Sequence, residues 1–208
     1  MSVCYIVGAA PECASFSPKD GDLVIAADGG QKALLKMNIT PHLVVGDFDS
    51  SELLFTVPFV KHPVEKDDTD TALAIREGAK RGYRTFYLYG CMGGRPDHTF
   101  GVIQTALGAT REGFRVFLVG EGMISTVIVN ESFHFECFDT VSVFSLSEFS
   151  QGVSLEGLKY PLTDATLSSA FPLGVSNEGE GRVTVSVREG ALLLMWKAEA
   201  FVPQDFLC

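Results

Sequence analysis

Long hydrophobic runs are missing from this sequence. No stretch comes near the roughly 18 consecutive apolar residues that a membrane helix needs. The start, Met1-Ser2-Val3-Cys4-Tyr5, has no basic segment leading into an apolar one with a cleavage site behind it. A cytoplasmic location, with no membrane partner, is therefore the default expectation. Cysteine is sparse as well. Cys4, Cys13, Cys91, Cys137 and Cys208 are odd in number and scattered, with no CxxC pair and no histidine at zinc-ligand spacing. That pattern argues for reduced, mostly structural thiols. Basic residues are in deficit, 16 Lys and Arg against 26 Asp and Glu for a formal net charge of -10. Duplex nucleic acid is a poor partner for such a chain, because its binding depends on Lys and Arg neutralising phosphates. Neither a Walker A loop nor a GxGxxG fingerprint is present, and there is no low-complexity segment or solenoid repeat.

What the chain has is core material: 46% of its 208 residues are hydrophobic, enough for one large domain or two small ones. Short apolar runs at residues 5–8, 22–27, 43–45, 59–61, 85–90 and 115–120 read as buried strands. Between them, residues 31–36, 69–81 and 97–109 have helical composition or spacing. In the second of these the apolar positions Ala72, Ile75 and Ala79 recur at helical spacing and Gly82 sits where a helix would stop. Strands alternating with helices imply an N-terminal, Rossmann-like α/β domain: a mostly parallel sheet with helices on both faces. Near Gly122 the pattern changes. Residues 125–129, 132–137, 140–146, 183–187 and 192–196 are strand candidates with almost no helical periodicity, and Glu189-Gly190 suits a hairpin turn joining the last two. The expected organisation is an α/β catalytic domain over residues 1–121, followed by a smaller all-β sandwich domain over 122–208.

Chemistry collects on aspartates. Gly46-Asp47-Phe48-Asp49-Ser50 follows the apolar run Leu43-Val44-Val45, so Asp47 and Asp49 share one side of a strand end and call for a counter-cation. Mg²⁺ suits them, since it binds through one or two carboxylates and completes its shell with water and phosphate oxygens. The same residues also suit a plain loop with a helix cap. Asp28, Asp97 and the cluster Asp67, Asp68 and Asp70 fall at corresponding loops, and ligands of open α/β sheets sit outside the carboxyl ends of the strands. So many carboxylates around one crevice repel one another unless cations bind. Gly29-Gly30 and Gly93-Gly94 flank these acids, where backbone turns or approaches a ligand closely. Arg95 adds a guanidinium able to grip phosphate in a bidentate way. His98 is either a site residue or a polar residue capping its helix, and Lys66 either a phosphate partner or a solvated surface charge. Cys91 is a candidate reactive thiol or a small buried residue. The residues describe a Mg²⁺-dependent enzyme acting on a phosphate-bearing substrate.

Taken in order, Asp28-Gly29-Gly30, Gly46-Asp47-Phe48-Asp49-Ser50, Lys66-Asp67-Asp68-Thr69-Asp70 and Gly93-Gly94-Arg95-Pro96-Asp97-His98 closely resemble the thiamine pyrophosphokinase family. So do Gly157-Leu158-Lys159-Tyr160-Pro161-Leu162 and Gly174-Val175-Ser176-Asn177-Glu178. The resemblance implies transfer of a diphosphoryl group from ATP to the hydroxyl of thiamine, with Mg²⁺, in a homodimer whose sites lie between the α/β domain of one subunit and the β domain of the other. It matches Asp47, Asp49 and Asp70 to metal and phosphate positions and Asp28 to an acidic position in the same cleft. Arg95 and Asp97 match the nucleotide-side loop, and Ser176 and Asn177 the segment that meets thiamine. Lys66, His98, Gly29 and Gly30 join the nucleotide side, and Asp49, Asp70 and Asp97 are the catalytic candidates. Thiamine's rings call for an aromatic face, for which Tyr160 and Trp196 are available, the latter also suited to the core. The sequence departs from the family at Val102, often Asn, at Tyr160, often Trp, and at Lys66, Gln in some relatives. Two alternatives share the acidic cleft: a metal-dependent nucleotide hydrolase, and a non-catalytic thiamine or nucleotide sensor.

Overall fold

The structure is a computed structural model and describes residues 2–11, 13–46, 53–61, 69–120 and 122–198. Extensive sheet and few helices give a mixed α/β protein, and the chain divides into two compact units, Met1–Glu121 and Gly122–Cys208.

In the first unit the strands are β1 (Cys4–Val7), β2 (Leu23–Ala27), β3 (Leu43–Gly46), β4 (Phe59–Lys61), β5 (Thr85–Tyr89) and β6 (Arg115–Val119). They pair in parallel in the order β6-β5-β1-β2-β3-β4. Every residue of β1, β2, β3 and β5 is buried, which explains their unbroken apolar runs: both faces of a parallel sheet are covered. A 3-10 turn (Asp28–Gly30) leads from β2 into α1 (Gln31–Lys36). Helix α2 (Asp70–Lys80) crosses from β4 back to β5, and α3 (Pro96–Arg111) joins β5 to β6. The β2-to-β3 crossover runs one way along the sheet and those carrying α2 and α3 run the other. Helix α2 packs on β1, β2 and β3 and against α3, and α1 packs on β1 and β2.

The buried residues of α2 are Thr71, Leu73, Ala74, Ile75, Glu77 and Gly78, with Ala72 and Ala79 at the margin of that face rather than at its centre. The reason is Gly78. A methyl group there would come within 2.7 Å of the Phe86 ring, so the helix lies closest to the sheet along the Ala74–Gly78 line.

The described residues of the second unit form strands and no helix: β7 (Met123–Val129), β8 (Ser132–Cys137), β9 (Thr140–Ser145), β10 (Phe149–Leu158), β11 (Leu162–Ser168), β12 (Gly174–Ser186) and β13 (Ala191–Lys197). All pairings are antiparallel. The long strand β12 serves two sheets. Its first part pairs with β9, which continues to β13 and β7, and its second part lies between β8 and β10. Trp196 of β13 packs against Phe133 and Phe135 of β8, making the core of the unit. The hairpin expected at Glu189-Gly190 does not form. β13 inserts between β9 and β7, while Glu189 bridges to Gln151 and the Gly190 N–H is taken by the Asn130 side chain.

Candidate active site

A cavity of about 810 Å³ opens at the carboxyl edge of the first unit's sheet, a size suited to a nucleotide-sized ligand. The sheet order explains its place. From β5 the chain crosses towards β6, whereas from β1 it crosses towards β2, and neighbouring strands whose connections diverge leave a crevice between their ends. One wall is the loop Gly8-Ala9-Ala10-Pro11 and the other is the segment from Gly90 to Val102. The two are stitched together by the Gly8 N–H donating to the Tyr89 carbonyl and the Ala10 N–H donating to the Gly90 carbonyl, each at 2.8 Å. Gly8 allows this approach, since a Cβ there would stand 2.6 Å from the Gly90 oxygen and 2.8 Å from Cys91 Sγ. Gly93 and Gly94, at φ 82° and 75°, then turn the chain into α3 through the left-handed region that side chains resist.

Among the described residues three carboxylates line this cavity: Asp28, Asp70 and Asp97. Asp28 is half-buried at the end of β2 and holds a left-handed φ of 44°, which Asp tolerates better than most residues. Gly46, the last residue of β3, lies directly against its Cα. Asp70 opens α2 behind Thr69, whose Oγ1 caps the helix by accepting from the Ala72 N–H at 3.2 Å. Asp97 stands at the start of α3, exposed, gripped side-on by Arg95 through Nη2 to Oδ2 at 2.6 Å and Nε to Oδ1 at 3.2 Å. The Arg95 guanidinium holds the Asp97 carboxyl below the ordinary carboxylate range, and Asp97 in turn raises Arg95. The N-termini of α2 and α3 both meet this cavity, placing two positive dipole ends beside it.

His98 lines the cavity and does not cap its helix: no side chain caps α3, and the Gly93 N–H goes to the Thr99 hydroxyl at 3.1 Å. Gly29 and Gly30 stay off the cavity wall. Gly30 is buried because a Cβ there would collide with the Val7 carbonyl, and Gly29 faces Ala9. Asp47, Asp49 and Lys66 lie outside the described residues. Cys91 forms part of the wall but is buried, its Sγ contacting the Tyr89 carbonyl at 3.3 Å, and burial pushes its thiol up to about 12. It is an inert thiol, so among the described residues the donors in the wall are the carboxylates of Asp28, Asp70 and Asp97 and the His98 imidazole. Carboxylate oxygens are the kind Mg²⁺ prefers, but no three of these groups stand close enough to share one ion. Residues 8–11 escaped the sequence reading because Ala and Pro carry no chemistry. The only signal was a glycine immediately after a buried strand. Val102, buried beside Gly101 on the cavity side of α3, gives the site an apolar patch.

In the second unit, Tyr160, Ser176 and Asn177 come together where β10 ends and β12 begins. Tyr160 is 61% exposed, whereas Trp196, the other aromatic candidate, is 1% exposed and belongs to the core. Between Gly174, opposite Val143, and Asn177, opposite Val141, β12 carries an extra residue. This bulge puts Ser176 at φ 56°, its N–H donating to Ser142 Oγ at 3.1 Å. Asn177 is buried: its Oδ1 accepts from the N–H groups of Tyr160 at 3.0 Å and Glu178 at 2.9 Å, and its Nδ2 donates to the Tyr160 carbonyl at 2.8 Å. Lys159 bonds to Glu178 at 3.0 Å and stands 5.7 Å from the centroid of the Tyr160 ring.

Comparison with known proteins adds to this geometry. Residues 18–118 match the model of the thiamin pyrophosphokinase catalytic domain, and residues 125–192 that of the thiamin pyrophosphokinase vitamin B1 binding domain. The chain is 27% identical over 184 residues to a thiamine pyrophosphokinase of Bacillus subtilis (strain 168), covering 83% of this chain and 86% of that protein. Among solved structures, thiamin pyrophosphokinase from Geobacillus thermodenitrificans superposes with a TM-score of 0.83 at 26% identity, over 95% of this chain and 98% of the other. Thiamine pyrophosphokinase from Bacillus subtilis shares the fold with a TM-score of 0.85 at 23% identity, over 96% of this chain and all of the other. With both domain models matched in order along most of its length, the chain belongs to the thiamin pyrophosphokinase family.

Proposed function

We propose that this chain transfers a diphosphoryl group from ATP to the hydroxyl of thiamine, giving thiamine diphosphate and AMP. The observation that carries the reading is the gathering of Asp28, Asp70, Asp97 and Arg95 around one cavity, at the N-termini of two helices, in a chain that matches both domains of the family. In this reading residues 1–121 are a Rossmann-like catalytic domain and residues 122–208 an all-β sandwich that takes thiamine. The working form is a homodimer in the cytoplasm, with thiamine lying between the catalytic domain of one subunit and the β domain of the other.

Asp70, with Asp47 and Asp49, would hold Mg²⁺, which when bound neutralises phosphate charge and draws electrons from the phosphorus under attack. Phosphate oxygens lie on the helix N-termini, and Arg95 leaves Asp97 to grip them. Gly29, Gly30, Lys66 and His98 complete the nucleotide side. Gly29 and Gly30 act from beneath, by holding Asp28 at the cavity. Asp70 and Asp97 are each placed to accept the proton of the thiamine hydroxyl. While paired with Arg95, Asp97 is a weaker base than an unpaired aspartate. Ser176, Asn177 and Tyr160 form the thiamine side.

Incubating the purified protein with ATP, Mg²⁺ and thiamine, and separating the products by chromatography, tests the proposal. AMP and thiamine diphosphate in equal amounts are expected. Consumption of ATP with no thiamine product would instead establish a hydrolase, and binding of both ligands without turnover a sensor.

A further inference from the structure

The backbone of Tyr160 lies just past the end of β10, where no strand continues the ladder. Lys159 still pairs with β12, its N–H donating to the Glu178 carbonyl at 2.9 Å. At the next residue the role of the partner strand passes to a side chain: the buried amide of Asn177 takes the Tyr160 N–H and gives a hydrogen to the Tyr160 carbonyl, as a neighbouring peptide group would. Pro161 follows and confines Tyr160 to extended backbone. Lys159, tied to Glu178, stands over the ring from one side. The outcome is a large ring, 61% exposed, carried on backbone that is fixed at both its polar groups. Backbone held this way has already given up part of the freedom that binding would otherwise remove, and it sets where the ring projects. Asn177, by contrast, is 5% exposed and has both ends of its amide engaged inside the protein, so little of it is left to touch a ligand.

We propose that Asn177 is a positioning residue: it acts on thiamine through Tyr160, by fixing the tyrosine ring as a stacking platform, and not by contacting the substrate itself. This rests on the reading of the chain as a thiamine pyrophosphokinase, and it revises the simple assignment of Asn177 as a ligand of thiamine. Tyr160 contacts the substrate ring, and Asn177 and the Lys159–Glu178 pair hold Tyr160.

The test is a double-mutant cycle read as the KM for thiamine at saturating ATP and Mg²⁺, with kcat recorded alongside. Tyr160→Ala is expected to raise KM roughly tenfold, the scale of one lost stacking contact, with kcat changed far less. Asn177→Ala is expected to raise KM by a comparable factor in the wild-type background and by almost nothing in the Tyr160→Ala background. Tyr160→Phe keeps the ring and is expected to keep the full effect of Asn177→Ala. If Asn177→Ala proves poorly folded, Asn177→Asp serves instead. It keeps the acceptor for both N–H groups and loses only the bond to the Tyr160 carbonyl, and it is expected to raise KM in the same Tyr160-dependent way. A further tenfold rise from Asn177→Ala on top of Tyr160→Ala would make Asn177 a direct ligand and overturn the proposal, as would a Tyr160→Ala enzyme with unchanged KM. A wild-type protein that forms no thiamine diphosphate would overturn the underlying reading and the positioning role with it, whereas an active enzyme with an additive cycle overturns the positioning role alone.

Discussion

Gly8 sits where the two walls of the cavity meet, and its missing side chain sets their separation. A methyl group there must push against the Gly90 carbonyl and Cys91 Sγ, neither of which is the free end of a flexible chain. Gly8→Ala is therefore expected to cost about 1–3 kcal/mol, the usual range for overpacking, read as a lower midpoint in thermal unfolding. An unchanged midpoint would mean the walls part more easily than their hydrogen bonds suggest. Arg95 makes a different prediction, in pH. Its hydrogen bonds lower Asp97, so that Asp97 stays ionised further into acid than a free aspartate. Stability linked to such a depressed carboxyl is present above the ordinary range and lost as pH falls through the lowered value, but with both groups exposed that contribution is expected to be negligible. Activity is the sensitive readout. Arg95→Ala releases Asp97 towards its ordinary value, so the acid limb of the kcat profile is expected to move to higher pH. A limb that stays in place would remove Asp97 from the ionisations that control turnover. At this scale the gathering of Asp28, Asp70, Asp97 and Arg95 around one cavity was legible in the sequence, because charged residues at strand ends have few other reasons to cluster. The commitment of Asn177 to the Tyr160 backbone was not, since an amide between two strands reads the same as an amide facing a ligand.

Among the elements, α2 shows how local chemistry and packing divide the work. Thr69 caps its start, Asp70 meets the cavity, and near its end the buried Glu77 receives Lys80 at 2.7 Å and Arg81 at 2.6 Å. Hydrogen bonds from Lys80 and then Arg81 lower the Glu77 carboxyl. The stability this gives is present above the ordinary carboxylate range and lost as pH falls through the lowered value. Glu77→Gln is expected to lower stability by about 0.5–1 kcal/mol at neutral pH, given the solvent around both cations. The gap to wild type should close on acidification; a gap independent of pH in thermal unfolding would show that charge is not the cause. The helices and the parallel strands were readable because their periodicity survives burial. Strands β10 and β11 and the first half of β12 were not. Register shifts at Ser150/Val153, Glu156/Leu158 and Gly174/Asn177, with glycines at 152, 157, 179 and 181, break the alternation that marks a strand. The expected hairpin at Glu189-Gly190 failed for a related reason: turn residues reveal a reversal but not which strand the chain returns to.

On the scale of the whole molecule, the sheet order of the first unit turns separate acidic loops into one site. Asp28, Asp70 and Asp97, far apart in sequence, follow β2, β4 and β5 of one parallel sheet, and the crevice opens where the β1 and β5 connections diverge. The change of pattern near Gly122, legible as a loss of helical periodicity, is also where the chain divides into its two units. The loop from Gly8 to Pro11 became visible as a wall only once β1 was placed beside β5. Since three carboxylates face the cavity among the described residues and phosphate charge must be neutralised beside them, a divalent cation is expected to be essential. Chelation should abolish turnover and added Mg²⁺ restore it, and turnover that persists in excess chelator would contradict the role given to the aspartates. The most direct test of diphosphoryl transfer follows the phosphorus itself: ATP labelled in its β-phosphate is incubated with the enzyme, Mg²⁺ and thiamine, and the products are separated. Label carried into thiamine diphosphate with unlabelled AMP is the expected result. Label retained in ADP beside thiamine monophosphate, or released as free phosphate or diphosphate, would contradict it.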